Sequence, residues 1–278
     1  MSPRLSVAVA AAATATLVSG GASAEDSLRG LAAPCSFDGG TRTLAIHAEE
    51  SALSTTVVRR GEQIVVSDPF GFRSRCAGPT PTVTNTDLID VRLSSFITTF
   101  TVDLRGGALA PGASAEVDGA PEIEIRARLG VEPMVEVYTG HGRDRVTLGR
   151  VPDSDGALNL NAGDDADADL VFTSANEQIQ AYLGSGADRF TAGSPPGFAR
   201  PYRSIYFVDG EDGKDRLVGG PGRDGFSGER DADRLVGRGG EDQLIADRGG
   251  ADRVSCGAGR DYARVDRRDR VSGCERAD

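Results

Sequence analysis

The chain has no tryptophan, only two histidines and two methionines, and aromatic residues make up 5% of its 278 positions. A globular enzyme with a deep cleft is built around a thick core, and this composition leaves a thin one of Val, Leu and Ile, which suits a narrow all-β stack. The catalytic inventory is equally short. His47 and His141 are far apart, and neither lies in an H-E-x-x-H run, which disfavours a zinc protease. No G-x-S-x-G elbow is present to carry a lipase or esterase nucleophile. Positive charge is in deficit as well, with 31 Lys and Arg against 42 Asp and Glu, a formal net charge of −11. That balance disfavours nucleic acid and anionic membrane surfaces as partners and favours divalent cations.

Glycine is plentiful, at 37 residues, and it is placed with a rhythm. Between Gly210 and Cys274 a phrase of nine residues repeats, with Gly first, Gly or a substitute fourth, Asp sixth and an apolar residue eighth. The sixth positions are Asp215, Asp224, Asp233 and Asp242, followed with small slips by Asp252, Asp261 and Asp269. The eighth positions are Leu217, Phe226, Leu235, Leu244 and Val254. Positions six and eight of a strand share one face, so two phrases complete one coil of a stacked β structure. Alternate repeats then lie above one another, with Asp215, Asp233 and Asp252 along one edge and Asp224, Asp242 and Asp261 along the other. Neighbouring coils sit about 4.8 Å apart, and carboxylates in such rows repel unless a cation lies between them. Calcium accepts roughly 6–8 oxygen ligands in irregular geometry, and carbonyls freed by the glycine turns would add to the carboxylates. The competing reading is a metal-free stack whose aspartates only cap turns.

These residues carry a family likeness. From about Gly210 onward the chain resembles the hemolysin-type, repeats-in-toxin calcium-binding β-rolls, whose consensus is G-G-x-G-x-D-x-U-x with U apolar. One repeat matches in full, through Gly219, Gly220, Gly222, Asp224 and Phe226. Elsewhere the second glycine is replaced by Glu211, Glu229, Arg238 or Asp247, the fourth by Asp231, and the first by Ala246 or Cys256. The resemblance implies Ca²⁺ held by Asp215, Asp224, Asp233, Asp242, Asp252 and Asp261 with Gly213, Gly222, Asp231 and Gly240 at the turns. From Asp209 to the end there are seventeen acidic and fourteen basic residues, and Arg216, Arg234, Arg253 and Arg270 each follow a sixth-position Asp. Such cations could pair with neighbouring acids and replace part of the metal's charge, so fewer and weaker sites than repeats are expected.

The four cysteines fit the same scheme. Cys256 and Cys274 stand one coil apart, which would bring them into disulfide reach and staple the last coil, while Cys35 and Cys76 would close an N-terminal loop. Free thiols or metal ligation are the alternatives, and neither pair has C-x-x-C spacing. Residues 1–24 read as a secretory signal peptide, with Arg4, an apolar run from Leu5 to Val18 and Ala22-Ser23-Ala24 before Glu25. The apolar run is shorter than the roughly 20 residues a membrane span requires. A secreted, extracellular, monomeric protein is therefore expected, with calcium ions and a cell surface or polysaccharide as its contacts.

Upstream the phrase widens, as Gly142-Arg143-Asp144, Gly163-Asp164-Asp165 and Gly186-Ala187-Asp188, each after a strand-like run, and the spacing suits one coil per phrase. Asp164, Asp165, Asp167 and Asp169 form an acidic run that reads as a solvated turn or a metal site, and it lacks EF-hand spacing. Pro195-Pro196-Gly197 marks a loop. Nearer the N terminus, Thr43–Ile46, Gln63–Val66, Thr82–Asp87, Phe100–Gly107 and Glu122–Ile125 read as strands. The expected organisation is a signal peptide over 1–24, an N-terminal β-rich region over 25–130, wide coils over 131–208 and a nonapeptide roll over 209–278. The whole resembles exported calcium-binding proteins of actinobacteria. The alternative function is an enzyme on extracellular polysaccharide, a lyase or epimerase, for which Tyr138, His141 and Arg143 are the only suggestive group; stacked aspartates also imitate the paired carboxylates of glycoside cleavage.

Overall fold

The computed structural model describes residues 33–48, 54–94, 98–114, 122–160, 167–175, 177–193, 198–203 and 206–278. The expected signal peptide, the Gly163-Asp164-Asp165 phrase and the Pro195-Pro196-Gly197 loop lie outside them.

Every regular element among the described residues is a strand, and the strands form a twelve-stranded and a ten-stranded sheet that the chain visits in turn, with a third small pair of Ser185–Gly186 and Asp212–Gly213. From Thr43–Ala48 in the first sheet it passes to Ser54–Arg60 in the second, then back to Leu88–Leu93, which pairs in parallel with the strand it left. The alternation continues through Thr99–Asp103, Glu124–Val131 and Met134–Tyr138 to the C terminus. In the C-terminal part the first sheet takes Arg216–Val218, Arg234–Gly240, Arg253–Gly259 and Arg270–Ser272. The second takes Asp224–Ser227, Gln243–Ala246, Tyr262–Val265 and Arg276–Ala277. One circuit of the chain is therefore two nonapeptides, and all pairings between these successive circuits are parallel.

The period-two pattern explains the packing. Sixth- and eighth-position side chains turn inward and seventh-position ones outward, as the pleat of a strand requires. Leu217, Phe226, Leu235, Leu244 and Val254 are all fully buried or nearly so. The two sheets share this core: the Phe190 ring of the first lies 5.5 Å from Tyr206 and 6.1 Å from Phe226 of the second. Parallel sheets buried on one face by each other hold the long-range contacts with no helix. No helix among the described residues is long and apolar enough to cross a membrane.

Both expected disulfides are formed, Cys35–Cys76 with Cα atoms 4.5 Å apart and Cys256–Cys274 with 5.0 Å. Two strand expectations are corrected. Thr82–Asp87 is a turn, because the Asn85 side chain accepts the Thr82 N–H at 2.7 Å while the Thr82 carbonyl accepts the Asn85 N–H, a local closure that outweighs β-branched propensity. The wide phrases do not each mark a circuit. Arg145–Gly149 stacks directly on Arg189–Ala192, and the stretch between them contains an antiparallel hairpin of Gly156–Asn159 and Leu170–Ala175, inserted into the first sheet.

Candidate metal centre

Each sixth-position Asp stands at the start of a strand, Asp224 as its first residue and the others just ahead of it, so its carboxylate points into the edge of the stack. Asp215, Asp224, Asp233, Asp242, Asp252 and Asp261 are each at most 3% exposed. They form two rows. In one, the Asp215 N–H donates to Oδ1 of Asp233 at 2.8 Å, Asp233 to Asp252 at 2.7 Å, and Asp252 to Asp269 at 2.9 Å. In the other, Asp224 donates to Asp242 and Asp242 to Asp261, both at 2.9 Å. These are the two edges that the spacing predicted.

The rows are longer than the candidate set. Asp188 donates to Asp215 and Asp144 to Asp188, each at 2.8 Å, while the Asp261 N–H reaches Oε2 of Glu275 at 2.8 Å. The signal for these was the Gly-x-acid phrase, in Gly142-Arg143-Asp144, Gly186-Ala187-Asp188 and Gly273-Cys274-Glu275.

Only one carboxylate oxygen per residue is used in this way. The other is buried and without a partner in Asp144, Asp188, Asp215, Asp233, Asp242, Asp252 and Asp261. Asp224 differs in detail: its Oδ2 accepts the Gly220 N–H at 2.7 Å, and Oδ1 is the buried oxygen left over. Burying a carboxylate with an unsatisfied oxygen disfavours its charged form. Burial accordingly lifts Asp188, Asp242 and Asp252 from 3.8 to about 6, Asp215 and Asp224 to about 7, and Asp233 to about 8. Neighbouring carboxylates add to the rise, Asp188 at Asp215 and Asp215 at Asp233, and the exposed Asp231 contributes to both.

Glycine lets the backbone pack close against these carboxylates. A Cβ on Gly219 would collide with Oδ2 of Asp224 and with the carbonyl oxygen of Gly237 one circuit on. One on Gly237 would meet Asp242 Oδ2 and the Cys256 carbonyl, and one on Gly210 would lie 2.6 Å from Asp215 Oδ2 and 3.2 Å from the Gly228 carbonyl. Carboxylate and carbonyl oxygens from two circuits thus come together at glycines where no side chain could stand. The fourth-position residues stack backbone on backbone, Gly213 over Gly186 and Gly240 over Gly222, with Gly213 at φ +141° and Gly240 at φ +139°. Such angles strain any residue with a Cβ. Asp231 takes the same place at φ +72°, in the left-handed region that Asp tolerates, and its carbonyl accepts the Gly250 N–H at 2.5 Å.

An all-oxygen environment with orphaned anionic oxygens fits a hard divalent cation. No group of three or more His, Cys, Asp or Glu side chains converges among the described residues, so a cation here would draw much of its shell from backbone carbonyls. The expected replacement of metal charge by Arg216, Arg234, Arg253 and Arg270 does not occur: none of the four makes an ion pair among the described residues. The pairs between circuits use other arginines, Arg230–Asp212, Arg248–Glu229, Arg260–Glu241 and Arg264–Asp247, all on the surface.

Asp164 and Asp165 lie outside the described residues. Of their acidic run, the Asp169 carboxylate accepts the Leu160 N–H at 2.5 Å and the Asp167 carbonyl accepts from Asn159 at 2.6 Å, both closing the inserted hairpin. Of the group suggestive of catalysis, His141 and Arg143 line one cavity together with Arg105. Tyr138 stacks on Tyr182 at 4.6 Å under the Arg105 guanidinium, and burial raises its pKa, which keeps the phenol protonated. His141 Nδ1 lies 3.0 Å from the Ser185 hydroxyl.

Compared with known proteins, the chain matches no family model, no curated sequence and no solved structure.

Proposed function

We propose that this protein is a secreted calcium-binding β-roll with a structural or surface-interaction role, in which calcium ions order the C-terminal circuits. One observation carries the reading: two rows of buried aspartates, each with an oxygen that no protein group satisfies, lie beside carbonyl oxygens at glycines whose missing side chain permits that close approach. The metal supplies positive charge and electrophilic ligation at those oxygens. The protein's own residues do the rest: the backbone N–H of each Asp orients the carboxylate one circuit on, the glycines let carbonyl oxygens approach the carboxylates, and the eighth-position side chains dry the interior.

Because ligands from successive circuits meet only in the folded stack, binding and folding are coupled, and calcium stabilises the native state by mass action. Export into a medium richer in calcium than the cytosol would then drive folding. The two disulfides support an oxidising destination. The test is thermal unfolding in chelator and at the 10⁻⁴–10⁻³ M calcium typical of extracellular sites. The midpoint rises with calcium and responds less to magnesium, which demands stricter octahedral geometry. Equal midpoints in chelator and calcium would refute the reading.

A further inference from the structure

The parity of the repeats sorts the seventh positions by sheet. Those in the second sheet are Gly225, Gln243 and Tyr262, followed by Arg276 at the end. In the first sheet every one is arginine, and the parallel register sets Arg145, Arg189, Arg216, Arg234, Arg253 and Arg270 opposite one another without a break. All six are exposed. Five steps of about 4.8 Å give a straight track of about 24 Å. The next outward positions along these strands, such as Thr147, Thr191, Val236 and Ser255, carry no charge.

A row of like charges directly opposite one another destabilises a sheet, and none of the six is relieved by an ion pair among the described residues. The nearest carboxylates in sequence are the aspartates of the first row, buried at Asp188, Asp215, Asp233 and Asp252 and half-buried at Asp144 and Asp269. At one end the track runs into a cavity of about 1040 Å³ whose lining includes Arg105, Arg143, Arg145, Arg189, Lys214 and Arg216. In a chain of net charge −11, six of the 31 basic residues thus stand on a single line, and all but one of the 31 are arginine, Lys214 being the exception. Arginine's planar fork binds carboxylate or sulfate through two parallel hydrogen bonds, where lysine offers a point charge.

We propose that this arginine row is a binding track for a linear acidic polysaccharide carrying one carboxylate or sulfate per sugar unit. A sugar ring is about as long as the step between circuits, so successive anionic groups can meet successive arginines. Nucleic acid fits less well, because no aromatic side chain stands along the row to stack a base. The track is built by the sheet register and does not depend on the metal reading.

The experiment is fluorescence anisotropy at one fixed calcium concentration, using an end-labelled oligogalacturonate long enough to span the track, with chondroitin sulfate, dextran and a single-stranded oligonucleotide as competitors. Binding weakens with added salt, and Arg216→Gln/Arg234→Gln/Arg253→Gln loosens it by at least about tenfold through three lost charge-assisted contacts. Arg248→Gln/Arg260→Gln/Arg264→Gln removes the same charge elsewhere and changes it less than about twofold. Circular dichroism verifies that both variants fold, and a matching Arg→Lys triple variant, which keeps the charge, binds less tightly than the parent. Competition by the unlabelled uronate with little from chondroitin sulfate identifies the regularly spaced carboxylate as the recognised group; stronger competition by chondroitin sulfate than by the uronate identifies sulfate as the preferred one. No saturable binding, equal losses in the two Gln variants, or tighter binding of the oligonucleotide would overturn the proposal.

Discussion

Replacing Asp242 by Asn separates the carboxylate's charge from its shape. Asp242 is 2% exposed, its Oδ1 accepts the Asp224 N–H at 2.9 Å, and its Oδ2 has no partner. Burial raises its pKa from 3.8 to about 6 against the opposing effect of the Asp224 N–H, with the Asp261 charge adding a smaller rise. A carboxyl with a raised native pKa holds its proton more tightly folded than unfolded, so its contribution to stability falls as pH rises from about 4 to 6 and stays low above that. At about 1.4 kcal/mol per pH unit, a rise from 3.8 to about 6 corresponds to roughly 3 kcal/mol of penalty at pH 8. Asn keeps the acceptor for the Asp224 N–H and removes that penalty. In chelator at pH 8 the Asp242→Asn variant is therefore more stable than the parent by up to about 3 kcal/mol, and at pH 4 the two agree. In saturating calcium the order reverses, because the parent's charge is now matched by the ion and the variant has lost an anionic ligand. Urea unfolding of both proteins at pH 4 and 8, with and without calcium, reads all four values. A variant that is less stable than the parent in chelator at pH 8 would refute the reasoning.

Three further outcomes follow from the packing. Gly219→Ala drives a methyl into the Asp224 carboxylate and the Gly237 carbonyl, and should cost about 1–3 kcal/mol in chelator and more in calcium, as unfolding curves will report. Phe226→Ala empties a fully buried site against Phe190 and Tyr206 and should cost about 3–5 kcal/mol with or without calcium, which distinguishes core from metal effects in the same assay. Cys256→Ser/Cys274→Ser should lower stability by about 2–4 kcal/mol and raise amide exchange first in Arg270–Ser272 and Arg276–Ala277, the last strand of each sheet.

The nine-residue period made the C-terminal circuits legible, because inward positions six and eight and a two-phrase circuit follow from the pleat alone. The edge to which each Asp belongs followed from the same count, and so did the Cys256–Cys274 pairing. The inserted hairpin was not legible: Leu158 to Leu160 has the same local look as the strands that continue the stack, and periodicity says that a segment is a strand without naming its neighbour. Thr82–Asp87 misled for a related reason, since β-branched residues signal a strand until a side chain such as Asn85 closes a local turn. The arginine row was present in the spacing of Arg216, Arg234, Arg253 and Arg270, but reading those residues as partners for nearby acids hid it. Only the register, which brings in Arg145 and Arg189 across the longer circuits, turns them into one line.

The most direct test of calcium binding is isothermal titration of the chelator-treated chain with calcium at pH 7, repeated in two buffers of different ionisation enthalpy. Aspartates lifted to about 7 and 8 hold protons at that pH, and a cation must displace them to bind. The account predicts saturable heat, more than one ion per chain, and proton release seen as a difference between the buffers. A fully folded chain that takes up no calcium and releases no protons would contradict it.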